Sequence, residues 1–242
     1  MMATTNNISS IWVNNRDKRT LLDFFMFWKK RPCPHVKLPT PLHLIESCKG
    51  LVLNNVKVKS ILFSTDIALI ENNDADAILA VYPFAPSQNI IKTLIEFSKK
   101  PVICGIGGGI TQGDFAITMA KKAEALGAAA VIVNQPFKNE DIAEVKKHIS
   151  IPIISSVSTL NFDFKSRIEA GVSCFNVTGG PDTLKIVDYI KTNYPNIAVI
   201  STGGKTNESL QNIAQKKVNA IILTPPSNGE LFRSIMDGYR EQ

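Results

Sequence analysis

Three glycine clusters stand out as places where this chain could wrap an anion: Gly105-Ile106-Gly107-Gly108-Gly109, Thr178-Gly179-Gly180 and Thr202-Gly203-Gly204. Each follows a short apolar run. Glycine lets backbone N–H groups approach an oxyanion with no Cβ in the way, and a helix starting just after the turn adds favourable partial positive charge. Gly179, Gly180, Gly203 and Gly204, with Ser227 in Pro226-Ser227-Asn228-Gly229, are the expected phosphate-binding residues. Lys205 is either their counter-charge or a solvated loop residue.

Proton transfer needs a titratable group near the same turns. Histidine is scarce: His35 and His43 precede the apolar runs, and His148 sits in a helical segment, so neither an acid–base histidine nor a His-rich metal triad is expected. No lysine ends any run, which disfavours Schiff-base chemistry. Asp66 directly follows the first run and reads either as a general base or as a helix cap; Asp163 is the next carboxylate in line. The remaining run-end residues are nearly all neutral. Tyr82, Asn134, Ser156, Asn176 and Thr178 are expected to orient a substrate, beside Ser155, Ser201 and Cys104, whose thiol has no adjacent base and reads as packed.

The runs themselves set the architecture. Ser60–Ser64, Ala77–Tyr82, Pro101–Gly105, Ala128–Asn134, Ile151–Ser155, Val172–Asn176, Ile197–Ser201 and Ala220–Thr224 are β-branched, apolar and too short for independent helices. Joined by helical crossovers, they read as parallel strands buried on both faces. Eight of them predict a single (β/α)8 barrel, the TIM barrel, with its site at the carboxyl ends of the strands. The helical segments read Phe115–Leu126, Glu140–Ile149, Phe164–Ala170, Thr183–Asn193, Glu208–Val218 and Gly229–Gln242, and Asp66–Asn73 allows only a short helix. Ser227-Asn228-Gly229-Glu230 has the form of a capping box, Thr206 supplies a capping hydroxyl, and Gly127 and Gly171 close helices. Residues 1–57 form an N-terminal extension and 58–242 the barrel. In the extension, Asn/Ser/Thr-rich residues 1–15 predict a mobile start, Arg16–Lys30 an aromatic-rich helix, and Pro32, Pro34, Pro39 and Pro41 a linker, with a further short helix at Leu42–Cys48. The aromatic helix needs cover, from the amino-terminal end of the barrel or from a second subunit in a homo-oligomer.

At 242 residues, 44% hydrophobic, the chain suits one barrel. No apolar run is long enough to span a bilayer, and Leu21–Trp28 fails as a signal segment because Asp23 interrupts it and Lys29-Lys30-Arg31-Pro32 follows. A cytoplasmic protein without a membrane partner is expected. The net charge of +6 is concentrated early: residues 1–60 carry ten Lys/Arg against three acids, and residues 61–242 carry 17 against 18. No zinc-finger spacing, RNP-like strand or basic recognition helix accompanies it, so nucleic acid is not an expected partner. Cys33, Cys48, Cys104 and Cys174 form no CxxC pair and read as reduced thiols.

Two motif matches fail. Gly204-Lys205-Thr206 lacks the P-loop glycine, Val199 standing in its place; Gly105-x-Gly107 has Ile110 at the third glycine position of a dinucleotide fingerprint, and the next strand ends at Asn134 where an acid would hold a ribose. By contrast, a strand followed by Thr202-Gly203-Gly204 and then one ending in Thr224-Pro225-Pro226-Ser227 resembles the phosphate-binding (β/α)8-barrel superfamily. Its members include indole-glycerol-phosphate synthase, tryptophan synthase alpha, thiazole synthase, the keto-deoxy-phosphogluconate aldolases and the N-acylmannosamine-6-phosphate epimerases. The resemblance covers roughly residues 58–242, and it implies an isomerase or lyase acting on a small phosphorylated metabolite. The sixth strand departs from the aldolases of that group, offering Phe175 and Asn176 where they carry lysine. No cofactor is required by this reading. The alternatives are an FMN-dependent oxidoreductase, whose cofactor phosphate would use the same turns, and a non-catalytic ligand-binding or assembly protein.

Overall fold

The computed structural model describes residues 38–109, 111–204 and 206–240. The aromatic segment Arg16–Lys30, most of the proline-rich linker and Lys205 therefore lie outside the described residues.

Eight parallel strands close into a barrel in strict sequence order: β1 (Ser60–Phe63), β2 (Ala77–Ala80), β3 (Val102–Gly107), β4 (Ala130–Val133), β5 (Ile153–Val157), β6 (Cys174–Val177), β7 (Ala198–Thr202) and β8 (Ala220–Leu223). The last pairs with the first, Ile221 opposite Ser60 and Leu223 opposite Leu62. Side chains alternate across each strand. Ile61, Leu79, Ile103, Ile132, Ile154, Cys174, Ile200 and Ile222 fill the barrel, while Leu62, Ile78, Cys104, Val131, Ile153, Phe175, Val199 and Ile221 face the surrounding helices. Burial on both sides is why the strands read as continuous apolar runs.

The crossovers are α1 (Ile67–Glu71), α2 (Gln88–Phe97), α3 (Gly113–Ala125), α4 (Asn139–His148), α5 (Phe164–Glu169), α6 (Thr183–Asn193), α7 (Asn207–Gln215) and α8 (Asn228–Arg240). Each longer helix docks through one stripe: Ala116, Met119, Ala120 and Ala123 of α3, and Leu210, Ile213 and Ala214 of α7. Each fully buried Leu or Ile in such a stripe contributes about 1.5–3 kcal/mol. The cap signals are realised. Thr206 Oγ1 accepts from Ser209 N at 3.1 Å, and Gly127 and Gly171 close α3 and α5 at φ +96° and +114°. The helical segments read above leave out α2, although Ile91, Leu94 and Ile95 repeat there at helical spacing, and α1 is as short as its sequence requires.

One element is not anticipated by the run pattern. Leu51–Leu53 and Val56–Val58 form an antiparallel hairpin whose turn residues, Asn54 and Asn55, both have positive φ, as a two-residue type I′ turn demands. Its Leu53 and Val58 insert into the barrel interior from the amino-terminal end.

Candidate functional site

Alternation decides which polar residues reach the mouth. On β5, Ser156 shares the inward face of Ile154, and on β6, Asn176 shares that of Cys174. The two lie opposite each other in the parallel register, and Asn176 Nδ2 donates to Ser156 Oγ at 3.2 Å. Ser155 and Ser201 point the other way. Both are fully buried under the helices, and Ser201 Oγ donates to the Val177 carbonyl at 3.2 Å. Cys104 is likewise outward and buried, its thiol pushed up to about 12 by burial, which leaves it packed and un-ionised.

A cleft of about 460 Å3 opens between the loops after β6 and β7. It is lined by Thr178, Gly180, Thr202, Gly203, Gly204 and the first turn of α7. The lining glycines are not equivalent. Gly203 donates its amide to Ile222 O at 2.9 Å, continuing the barrel ladder, so this N–H is committed and does not face a ligand. A Cβ on Gly203 would lie 3.0 Å from Ile221 Cγ2 and collide with Leu210, and one on Gly204 would collide with Ser209. These two glycines are needed to seat α7. Gly180 is different: its φ is +56° and nothing stands within 4 Å of where its Cβ would be. Gly179 packs against Ile186 and is not among the lining residues. The amides of Asn207 and Glu208 open α7 with no intrahelical acceptor. Glu208 is the one ionisable group among the described lining residues, and it was read from the sequence only as part of a helix start.

Ser227 is not part of this cleft. Its N–H and hydroxyl both meet Glu230 Oε2, at 2.8 and 2.7 Å, and Glu230 N returns to Ser227 Oγ at 3.2 Å. The capping box expected here is thus complete, and it places a carboxylate against the donors assigned to a phosphate. Next to it, Asn228 Nδ2 donates to Asp66 Oδ2. Asp66 Oδ1 accepts from Ala68 N at 2.8 Å and Leu69 N at 3.2 Å, capping α1. The side chain lies at the carboxyl end of β1 and is half-buried. Asp163 caps α5 through Ser166.

Tyr82 and Asn134 line a second, smaller pocket of about 190 Å3 between the loops after β2 and β3. Tyr82 Oη accepts from Ser87 N at 2.7 Å, folding the ring onto its own loop. Gly108 lets the Asn134 side chain pack close; a Cβ there would lie 2.7 Å from Asn134 Nδ2. The residues expected to bind substrate therefore divide: Thr178 in the large cleft, Tyr82 and Asn134 in the small pocket, Ser156 and Asn176 on the inward faces of β5 and β6.

Sequence reasoning missed Arg167. It lies on α5, 4% exposed, and holds the main-chain carbonyls of Phe137 and Gln135 at 2.5 and 2.7 Å. Its guanidinium stands 5.1 Å from the Phe162 ring centroid. Gln135 Oε1 in turn accepts from Ser158 N and Oγ. Through these contacts the loop after β4 is tied to the loop after β5. No signal in the sequence separates this arginine from a solvated one at the end of a helix.

Among solved structures, the chain is similar to phosphonopyruvate hydrolase, with a TM-score of 0.58 and 14% identity over 83% of this chain and 84% of that one. It is also similar to phosphoenolpyruvate phosphomutase from Streptomyces platensis subsp. rosaceus, with a TM-score of 0.56 and 13% identity over 76% and 80% of the two chains. Dihydrodipicolinate synthase from Aquifex aeolicus gives a TM-score of 0.53 and 18% identity over 76% and 77%. What they share is the (β/α)8 barrel. At these identities the likeness is one of fold, and it supports the barrel part of the resemblance drawn from the glycine turns rather than the particular enzymes named there. No family model matches the chain, and no curated protein matches it in sequence. One phosphonopyruvate hydrolase structure is a complex with oxalate and Mg++. Here no group of three or more His, Cys, Asp or Glu among the described residues could hold a metal ion. No helix among them is long and apolar enough to cross a membrane.

Proposed function

We propose that this protein is a (β/α)8-barrel enzyme of the isomerase or lyase type, acting by proton transfer on a small phosphorylated molecule. The observation that carries this reading is the cleft of about 460 Å3 at the carboxyl ends of β6 and β7. It joins an open glycine turn at Gly180, the hydroxyls of Thr183, Thr202 and Thr206, and the amino terminus of α7. Those are the donors and the partial positive charge that an esterified phosphate needs. Gly204 shapes the cleft by admitting α7, and Lys205, its neighbour in sequence, supplies the counter-charge. Asp66 is the proton carrier in this proposal: it is the carboxylate at the end of β1, fixed by two amides of α1 and by Asn228. The barrel neighbours, a hydrolase, a mutase and a synthase, support the reading through the fold they share with this chain.

The experiment is a titration with inorganic phosphate followed by melting temperature and calorimetry, on wild type and Lys205→Met. Phosphate should raise the melting temperature, and the variant should bind about tenfold more weakly at unchanged intrinsic stability. A wild-type melting curve insensitive to phosphate in the tens of millimolar would remove the reading.

A second reading is favoured by the small pocket. Its floor is the glycine run of β3, and its rim carries Tyr82 and the 79% exposed ring of Phe84. A flat ring could lie on that floor, and an FMN enzyme would use it. Incubation with FMN, desalting and a visible spectrum test this reading; a colourless protein discards it.

A further inference from the structure

The polar pair on β5 and β6 names the substrate's other end, an inference that rests on the phosphate reading of the cleft. Asn176 is 4% exposed, and its Oδ1 is buried with no hydrogen-bond partner among the described residues. Its neighbours on the inward faces, Cys174, Ile154 and Ile200, are apolar. A core in this position would be more stable with a leucine, because an unpaired buried carbonyl costs about 1–3 kcal/mol. Among the described residues the amide makes one hydrogen bond, of 3.2 Å from Nδ2 to Ser156 Oγ. That bond has a directional consequence. A hydroxyl that accepts from a buried amide has its own proton left to donate elsewhere. Ser156 is half-buried and lies on the mouth side of Ile154, so the free donor direction is toward the mouth.

We propose that Asn176 is a positioning residue that orients the Ser156 hydroxyl as a donor to a carboxylate oxygen of the substrate. Donation to a charged acceptor is stronger than to a neutral one. The distance to the phosphate follows from the strand. Asn176 is level with Ser156, and Thr178, two residues further along the same chain, lines the cleft. At about 3.3 Å per residue, the wall of the cleft at Thr178 begins about 7 Å along the strand from the level of Asn176 and Ser156. A phosphate ester of a three-carbon acid spans that gap. The substrate class is therefore a short phosphorylated carboxylic acid.

Three probes separate the ends: inorganic phosphate, glycerol 3-phosphate and 3-phosphoglycerate, titrated by calorimetry into wild type, Ser156→Ala, Ser156→Thr and Asn176→Leu. Wild type should bind 3-phosphoglycerate about tenfold or more tightly than glycerol 3-phosphate, the usual worth of a hydrogen bond to a charged group. Ser156→Ala and Asn176→Leu should both erase that preference while binding inorganic phosphate as wild type does, and Ser156→Thr, which keeps a hydroxyl, should restore it. The phosphate arm also shows whether Asn176→Leu has kept its fold. Phosphate binding by wild type with no preference for the acid overturns this inference and leaves the proposed function standing. Failure of all three probes on folded wild type removes both.

Discussion

Arg167 and Phe137 are joined by a hydrogen bond of 2.5 Å from the guanidinium Nη1 to a main-chain carbonyl, thirty residues apart and buried. Among the described residues no carboxylate bonds to this cation; two carbonyls and an aromatic ring surround it, and its Nε is buried without a partner there. Burial pulls its pKa down, with Glu140 opposing. The residue stays charged, so removing it strands two carbonyls rather than a counter-ion. Arg167→Met should destabilise the protein by about 2–4 kcal/mol. Hydrogen exchange should rise first in residues 134–138. A variant with wild-type melting would show that these bonds contribute nothing net.

Asp66 can be tested without dismantling its helix. Asparagine caps about as well as aspartate, so Asp66→Asn should melt within about 1 kcal/mol of wild type. With whichever phosphorylated acid the binding screen selects, turnover should fall by a factor of roughly 10²–10⁴, the usual contribution of a general base. Undiminished turnover would confine Asp66 to capping α1 and tying it to α8.

Gly203 gives a test of packing. Its Cβ would press on Ile221 at 3.0 Å and on the Ile222 carbonyl at 3.3 Å as well as on Leu210. Gly203→Ala should cost about 1–3 kcal/mol through this overpacking. Phosphate affinity in the folded variant should change little, since the Gly203 amide is already spent on β8. A large selective loss of phosphate binding would instead make this amide part of the ligand site.

Acid stability should depend on Glu124. Its Oε1 accepts from Ser150 N, Ser150 Oγ and Ile151 N at 2.7, 2.6 and 3.1 Å, bridging α3 to the entry of β5. The Ser150 hydroxyl is the largest cause that holds this carboxyl below the usual glutamate range. A pKa lower in the folded state means that the stabilisation is complete above the unfolded value and is lost as pH falls through the folded one. Glu124→Gln should flatten the fall in melting temperature below the ordinary glutamate range and leave its slope at neutral pH alone. An unchanged acid limb would show that the bridge does not titrate.

The strands were legible because burial on both faces leaves runs of Val, Ile and Ala, too short for buried helices and bounded by turn residues. The hairpin was not, because Leu51–Val58 is half exposed and its signal is two asparagines with positive φ. The site was legible at the level of which strand ends carry hydroxyls and glycines. It was less so in orientation: Ser155 and Ser156 are adjacent, yet only the second reaches the mouth, and the difference is a single step of the pleat. Gly203 and Gly204 look alike in sequence to an anion cradle, but α7 packs where their side chains would be. Ser227 carried two readings at once, cap and phosphate ligand, and Glu230 takes both of its donors.

The seam between β1 and β8 ties Ser60 to Ile221, Gly50 to Asn219 and Asp66 to Asn228. During synthesis β1 is made first of the eight strands and its second neighbour, β8, last. Until Leu223 has left the ribosome, β1 carries one unpaired edge, and the interior that Leu53 and Val58 plug has an open side. Non-local closures of this kind slow folding and expose apolar edges to other chains. Loss of the final strand therefore leaves not a shorter barrel but an open sheet with two apolar edges.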